Sequence, residues 1–128
     1  MLEGCVPWPP EYAASYSAAG YWRGELLGAL TRDWAARDGE RIAVVGEGVR
    51  LSYAQLSTQA DRLAAGLDTL GVRSGERVLV QLPNVPEFLT VAIALFRLGA
   101  LPIFALPAHP LRARRFPDCR HRPLGTDA

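Results

Sequence analysis

No lysine occurs anywhere in the 128 residues; all fourteen basic side chains are arginine. Chemistry that depends on a lysine amine is therefore excluded from this stretch of chain. Cysteine is nearly absent: Cys5 and Cys119 sit near opposite ends, with no CxxC pair and no His/Cys cluster to suggest a metal site. A reduced, cytosolic pair is expected rather than a disulfide. No apolar run approaches the ~18 residues of a membrane span, and the start, MLEGCVPWPPE, lacks the basic stretch and apolar core of a signal peptide. Cytoplasm is the expected compartment. The two glycine-bearing spots, Gly46-Glu47-Gly48 and Gly71 to Gly75, have neither GxGxxG nor GxxxxGK[ST] spacing, so both read as turns and not as phosphate cradles. No Ser/His/Asp set, carboxylate pair or metal spacing is present. His109 follows a predicted strand end, the edge at which open α/β sheets bind ligands, but a lone histidine there reads as a loop residue, and His121 lies further out still. No catalytic, cofactor-binding or metal residue is assigned.

What is present is apolar: 49% of residues are hydrophobic, a globular composition. The net charge of +1 hides a split. Met1 to His109 carries nine Arg against eleven acids, and Pro110 to Ala128 five Arg against two. The organising stretch runs from Glu76 to Pro107. An apolar run, Val78 to Leu82, meets Pro83; a long apolar helical segment follows to the stop at Gly99; a second apolar run covers Pro102 to Leu106. Two short apolar runs joined by a helix predict a βαβ unit with parallel strands. Asn84 and Glu87 are spaced as a capping box, with Pro86 in the first turn. Phe88, Leu89, Val91, Ile93, Leu95, Phe96 and Leu98 leave that helix almost no polar face, which predicts burial on more than one side.

Upstream, residues 1–24 are rich in Pro, Trp and Tyr and predict an arm wrapped over a larger body, with one helix from about Pro10 to Ala19. Leu26, Leu27, Leu30 and Trp34 fall on one stripe of a helix between Glu25 and Arg37, closed by Gly39, and read as core. Ile42 to Val45 and Val49 to Leu51 predict a hairpin. Ser52 and Gln55 form a second capping box, opening a helix whose apolar face is Leu56, Ala60, Leu63, Ala64, Leu67 and Leu70. Residues 110–128 show no periodicity and are read as disordered. Their arginines could meet nucleic acid, but without interleaved aromatics or a recognisable module no nucleic-acid partner is assigned.

Several of these stretches resemble one family. Leu51-Ser52-Tyr53-Ala54-Gln55-Leu56 is similar to the first motif of the adenylate-forming ligases, L-[ST]-Y-x-E-L, with Gln in place of Glu. Phe96-Arg97-Leu98-Gly99-Ala100-Leu101-Pro102 resembles their second. Val6-Pro7-Trp8-Pro9, Tyr16 to Trp22, Ala60 to Gly66, Gln81-Leu82-Pro83-Asn84 and Phe104 to His109 look like phrases of the aryl-acid AMP ligases of siderophore pathways. The resemblance implies an α/β fold, here an incomplete N-terminal portion of the ligase large domain over 25–109, with 1–24 as its arm and 110–128 outside the family pattern. For the full-length family it implies ATP and Mg²⁺, 2,3-dihydroxybenzoate or salicylate as the acid, and an aryl carrier protein as acyl acceptor. The phosphate loop, acid pocket and catalytic lysine of the family belong downstream of the matched part. The 128-residue chain is therefore expected to be inactive alone and to need no cofactor of its own.

Three further expectations follow. The abrupt change after His109 suggests a frameshift or misassembled frame, which the other two reading frames past that codon would test. Unpaired strand edges and an incompletely covered helix predict poor solubility, partial melting or self-association. A truncated paralogue acting as an interaction module is the alternative to a ligase fragment, and a free-standing flavodoxin-like module ranks last for want of strands and a phosphate loop.

Overall fold

The computed structural model describes residues 6–46 and 48–105; the expectations for Cys5, Cys119, His109, His121 and the 110–128 tail lie outside them. The elements run α1 (Pro10–Ala18), α2 (Leu27–Asp38), β1 (Ile42–Gly46), β2 (Val49–Ser52), α3 (Tyr53–Thr69), β3 (Arg77–Val80), α4 (Pro86–Leu98) and β4 (Leu101–Phe104). The fold is mixed α/β. β1 and β2 pair antiparallel, with an irregularity between Ile42 and Val44. β3 and β4 pair parallel, Arg77 opposite Leu101 and Val80 opposite Phe104, with α4 as the connection. The predicted hairpin and βαβ unit are thus both present, as two separate two-stranded sheets.

Hydrogen bonds at the helix ends explain the helix boundaries. Ser52 Oγ accepts from the Gln55 amide at 3.3 Å while Gln55 Oε1 accepts from the Ser52 amide at 2.9 Å, so the second capping box forms as the spacing requires. At the end of α4, Gly99 adopts φ 71°, its amide donates to Phe96 O at 3.1 Å and the Ala100 amide donates to Leu95 O at 2.9 Å. Two last-turn carbonyls are thereby satisfied in a left-handed cap that favours glycine. The Asn84–Glu87 capping box does not form. α4 starts one residue later than that pattern implies: Val85 is its N-cap, extended at φ −118°, and no side chain caps it. Pro86 at the first helical position dictates this, because a residue preceding proline is driven out of the helical region.

α4 packs chiefly on α3, then on α2 and the strand β4. The inner core is Val80, Leu95 and Ala100, with Leu67, Val72, Val78, Leu82, Phe88, Val91 and Leu98 partly buried around it. Helices α2 and α3, and not sheet strands alone, do most of the covering, yet Leu89 stays 43% exposed. Burial of α4 on more than one side is realised only in part.

Two further expectations are corrected. Of the stripe Leu26, Leu27, Leu30 and Trp34, Leu26 and Leu27 face outward, Trp34 is 38% exposed and Leu30 is half-buried; the buried residue of α2 is Gly28. A methyl group on Gly28 would stand 2.9 Å from Phe96 O and 3.0 Å from Arg97 Cα, so α2 approaches the α4 backbone at this glycine, with Leu26 and Leu27 left outside. Gly28→Ala is expected to destabilise the fold by about 1–3 kcal/mol, the usual cost of overpacking against unyielding backbone, read as a fall in urea midpoint. An unchanged midpoint would contradict this contact. On α3, Leu56, Ala60 and Ala64 are buried as the periodicity predicts, but Leu70, the C-cap just past the helix, is 50% exposed.

Residues of the arm form a helix where the sequence places one. No residue of α1 is buried. Its aromatics pack on one another instead: Tyr16 lies 5.4 Å from Trp22 and 6.1 Å from Trp8, which is 6.1 Å from Trp22. These edge and tilted ring contacts are local, and Trp8 and Trp22 remain 59% and 43% exposed.

Candidate functional site

Among the described residues the densest polar constellation is built around Arg97, one residue before the end of α4. Its side chain is 1% exposed. Nη1 donates to the Ser57 carbonyl at 2.6 Å and lies 2.8 Å from Asp61 Oδ1; Nη2 donates to Ser57 Oγ at 2.8 Å and reaches Thr31 Oγ1 at 3.4 Å. Nε has no partner. Arg32 donates from α2 to the same Asp61 oxygen at 3.0 Å. Three helices therefore converge on one guanidinium: α2 through Thr31, α3 through Ser57 and Asp61, α4 through Arg97 itself.

Burial pushes the Arg97 guanidinium below its ordinary pKa, Asp61 pulls it back up and Arg32 adds to the lowering. An arginine stays protonated at any working pH, so the cluster holds a permanent buried cation that one half-exposed carboxylate balances. Beside it lies a cavity of about 170 Å³ bounded mainly by apolar side chains, Trp34, Val44, Leu56, Leu89 and Ile93 among them.

These groups hold helices together. The Arg97 Nη1 and Nη2 groups are committed within the chain, and the Gly75 amide, in the turn before β3, donates to Gly99 O at 2.9 Å and is unavailable to a phosphate. That bond also ties the Arg73–Glu76 turn to the family-like Gly99 stretch. Among the described residues, no group of three or more His, Cys, Asp or Glu could hold a metal ion. The sequence reading places a helix stop at Gly99, takes Phe96–Pro102 as a family-like stretch and assigns no role to Arg97. The signal was there: from Phe88 to Leu98 it is the one charged residue of an otherwise apolar helix.

A sequence model of the AMP-binding enzyme family matches residues 31–117, more than half of the chain. The chain belongs to this family. This AMP-binding family member is 55% identical over 109 residues to the 2,3-dihydroxybenzoate-AMP ligase of Bacillus subtilis, covering 85% of this chain and 20% of that protein. It is 49% identical over 113 residues to the salicyl-AMP ligase / salicyl-S-ArCP synthetase of Mycobacterium tuberculosis, covering 84% of this chain and 20% of that protein. Its fold matches the apo structure of Mycobacterium smegmatis MbtA with a TM-score of 0.79 at 48% identity, over 83% of this chain and 20% of that one. The chain thus spans about a fifth of the length of the relatives it matches. Its described part has the architecture of the N-terminal region of an adenylate-forming enzyme. Among the described residues, no helix is long and apolar enough to cross a membrane.

Proposed function

We propose that these residues form the N-terminal scaffold of an ATP-dependent aryl-acid AMP ligase, one that activates 2,3-dihydroxybenzoate or salicylate for siderophore biosynthesis and passes the acyl group to an aryl carrier protein. The observation that carries this reading is the 55% identity over 109 residues to a 2,3-dihydroxybenzoate-AMP ligase, joined by 49% identity to a salicyl-AMP ligase. ATP and Mg²⁺ belong to the whole enzyme, and the cytoplasm is the compartment this reading assigns. The role of this part is mechanical. The Ser52–Gln55 cap starts α3, the Gly99 cap ends α4, and Arg97 pins both helices to α2, which gives the parallel strands a fixed platform.

Acyl activation is not carried out by these 128 residues alone. They contain no lysine to meet the developing charge on a reacting carboxylate, and their described amides and guanidiniums form no anion cradle. ATP/pyrophosphate exchange with 2,3-dihydroxybenzoate and with salicylate is expected to stay at the blank rate for the purified chain. Exchange above blank with either acid would overturn this assignment.

A further inference from the structure

We infer that the cavity beside Arg97 is a binding site for a small, neutral, monocyclic aromatic molecule. The site is built from α2, β1, α3 and α4 and does not depend on the scaffold reading above. Its volume is about 170 Å³. An apolar cavity of roughly 150 Å³ holds benzene, so the space suits a single ring. Leu56, 7% exposed, closes the inner end, while Trp34 and Leu89, 38% and 43% exposed, leave an entry from solvent.

The walls select the chemistry of the guest. Val44, Leu56, Leu89 and Ile93 offer it no hydrogen bonds, and two hydroxyls on the wall are engaged: Thr31 Oγ1 donates to Gly28 O at 3.0 Å and Ser57 Oγ accepts from Arg97 Nη2 at 2.8 Å. A water held there would need about two to four polar partners. A carboxylate taken out of solvent would need the paired donors of a guanidinium fork, and Arg97 has spent those on Ser57 and Asp61. A neutral apolar guest is left. Trp34 and Tyr53 present rings for offset or edge contacts with another ring. Arg97 adds a cation whose side chain is 1% exposed and whose Nε has no partner. A desolvated guanidinium attracts the negative face of a π system, and an N–H can donate to that face; a saturated ring offers neither.

The test titrates the isotope-labelled 128-residue chain with benzene, cyclohexane and benzoate, read by its amide and arginine Nε–H resonances. Benzene is expected to give saturable shifts confined to the residues that line the cavity, with an upfield ring-current shift at Arg97 Nε–H. It is expected to bind about fivefold tighter than cyclohexane, the margin a cation–π contact supplies. Arg97→Met is expected to remove that preference. Ala43→Leu, which fills the cavity from β1, is expected to abolish benzene binding at an unchanged urea midpoint; if that variant fails to fold, the wild-type titration decides alone. Shifts that do not saturate, shifts centred on Trp8, Tyr16 and Trp22, equal affinity for benzene and cyclohexane, or tighter binding of benzoate than of benzene would each overturn the inference. So would benzene binding that survives in a folded Ala43→Leu chain.

Discussion

Asp61→Asn is expected to destabilise the fold by about 2–3 kcal/mol, and Arg97→Met by less than half as much. The order is the informative part, because the two residues form one ion pair at 2.8 Å with unequal burial: the Arg97 side chain is 1% exposed and Asp61 50%. Removing one partner of a buried pair costs about 3–5 kcal/mol when a charge is left uncompensated, whereas replacing the buried charge by an apolar side chain of similar length is close to neutral. Asp61→Asn leaves the guanidinium in place with its Nε already without a partner, and leaves Arg32 facing it with no anion between them. Water reaches the Asp61 side, which holds the cost below the fully buried range. Arg97→Met removes the cation and leaves Asp61 and Arg32 to pair at the surface. Arg97→Lys is not a conservative change, because one ammonium cannot reach Ser57 O, Ser57 Oγ and Asp61 together in the planar fork that arginine supplies. Urea midpoints of the three variants decide the matter. A larger loss for Arg97→Met than for Asp61→Asn would mean that the guanidinium acts as a net stabilising anchor and not as a buried charge in need of its carboxylate.

Leu95→Ala is expected to cost about 2–5 kcal/mol, the range for emptying a leucine site in a packed core. Leu95 is fully buried, and five of the eight buried apolar residues among those described are alanines, so few large side chains are available to fill the gap. Whole domains hold only ~5–15 kcal/mol, and a core of this size sits low in that range. The measurement is amide hydrogen exchange. Protection across α4 is expected to disappear in the variant while the short-range Ser52–Gln55 cap at the start of α3 survives. Retention of α4 protection would show that the helix is held by α2 and α3 without help from Val80 and Ala100.

Legibility varied with the range of the interaction involved. The capping box at Ser52, the left-handed stop at Gly99, the hairpin and the parallel crossover were all readable, because each depends on residues close in the chain or on an apolar run of characteristic length. The cap assigned to Asn84 failed against a competing local rule, since Pro86 sets the backbone of Val85 and thereby the helix start. The α2 stripe failed for a different reason. Its leucines have the right period, but the face that packs is chosen by how closely another helix can approach, and Gly28 admits the α4 backbone where leucine could not. Arg97 shows the same limit at the site. The sequence marks it as a charge on an apolar helix, while the partners that make it a clasp, Thr31 and Ser57, stand 66 and 40 residues away.

By itself, then, the sequence determined the elements, the family and the lack of a lysine for acyl activation, because these rest on local backbone preferences, motif spacing and composition. Only the tertiary structure decided which face of each helix is inside and that one guanidinium joins three helices. Those outcomes depend on distances between segments far apart in the chain, and side-chain period along one helix or strand does not encode them.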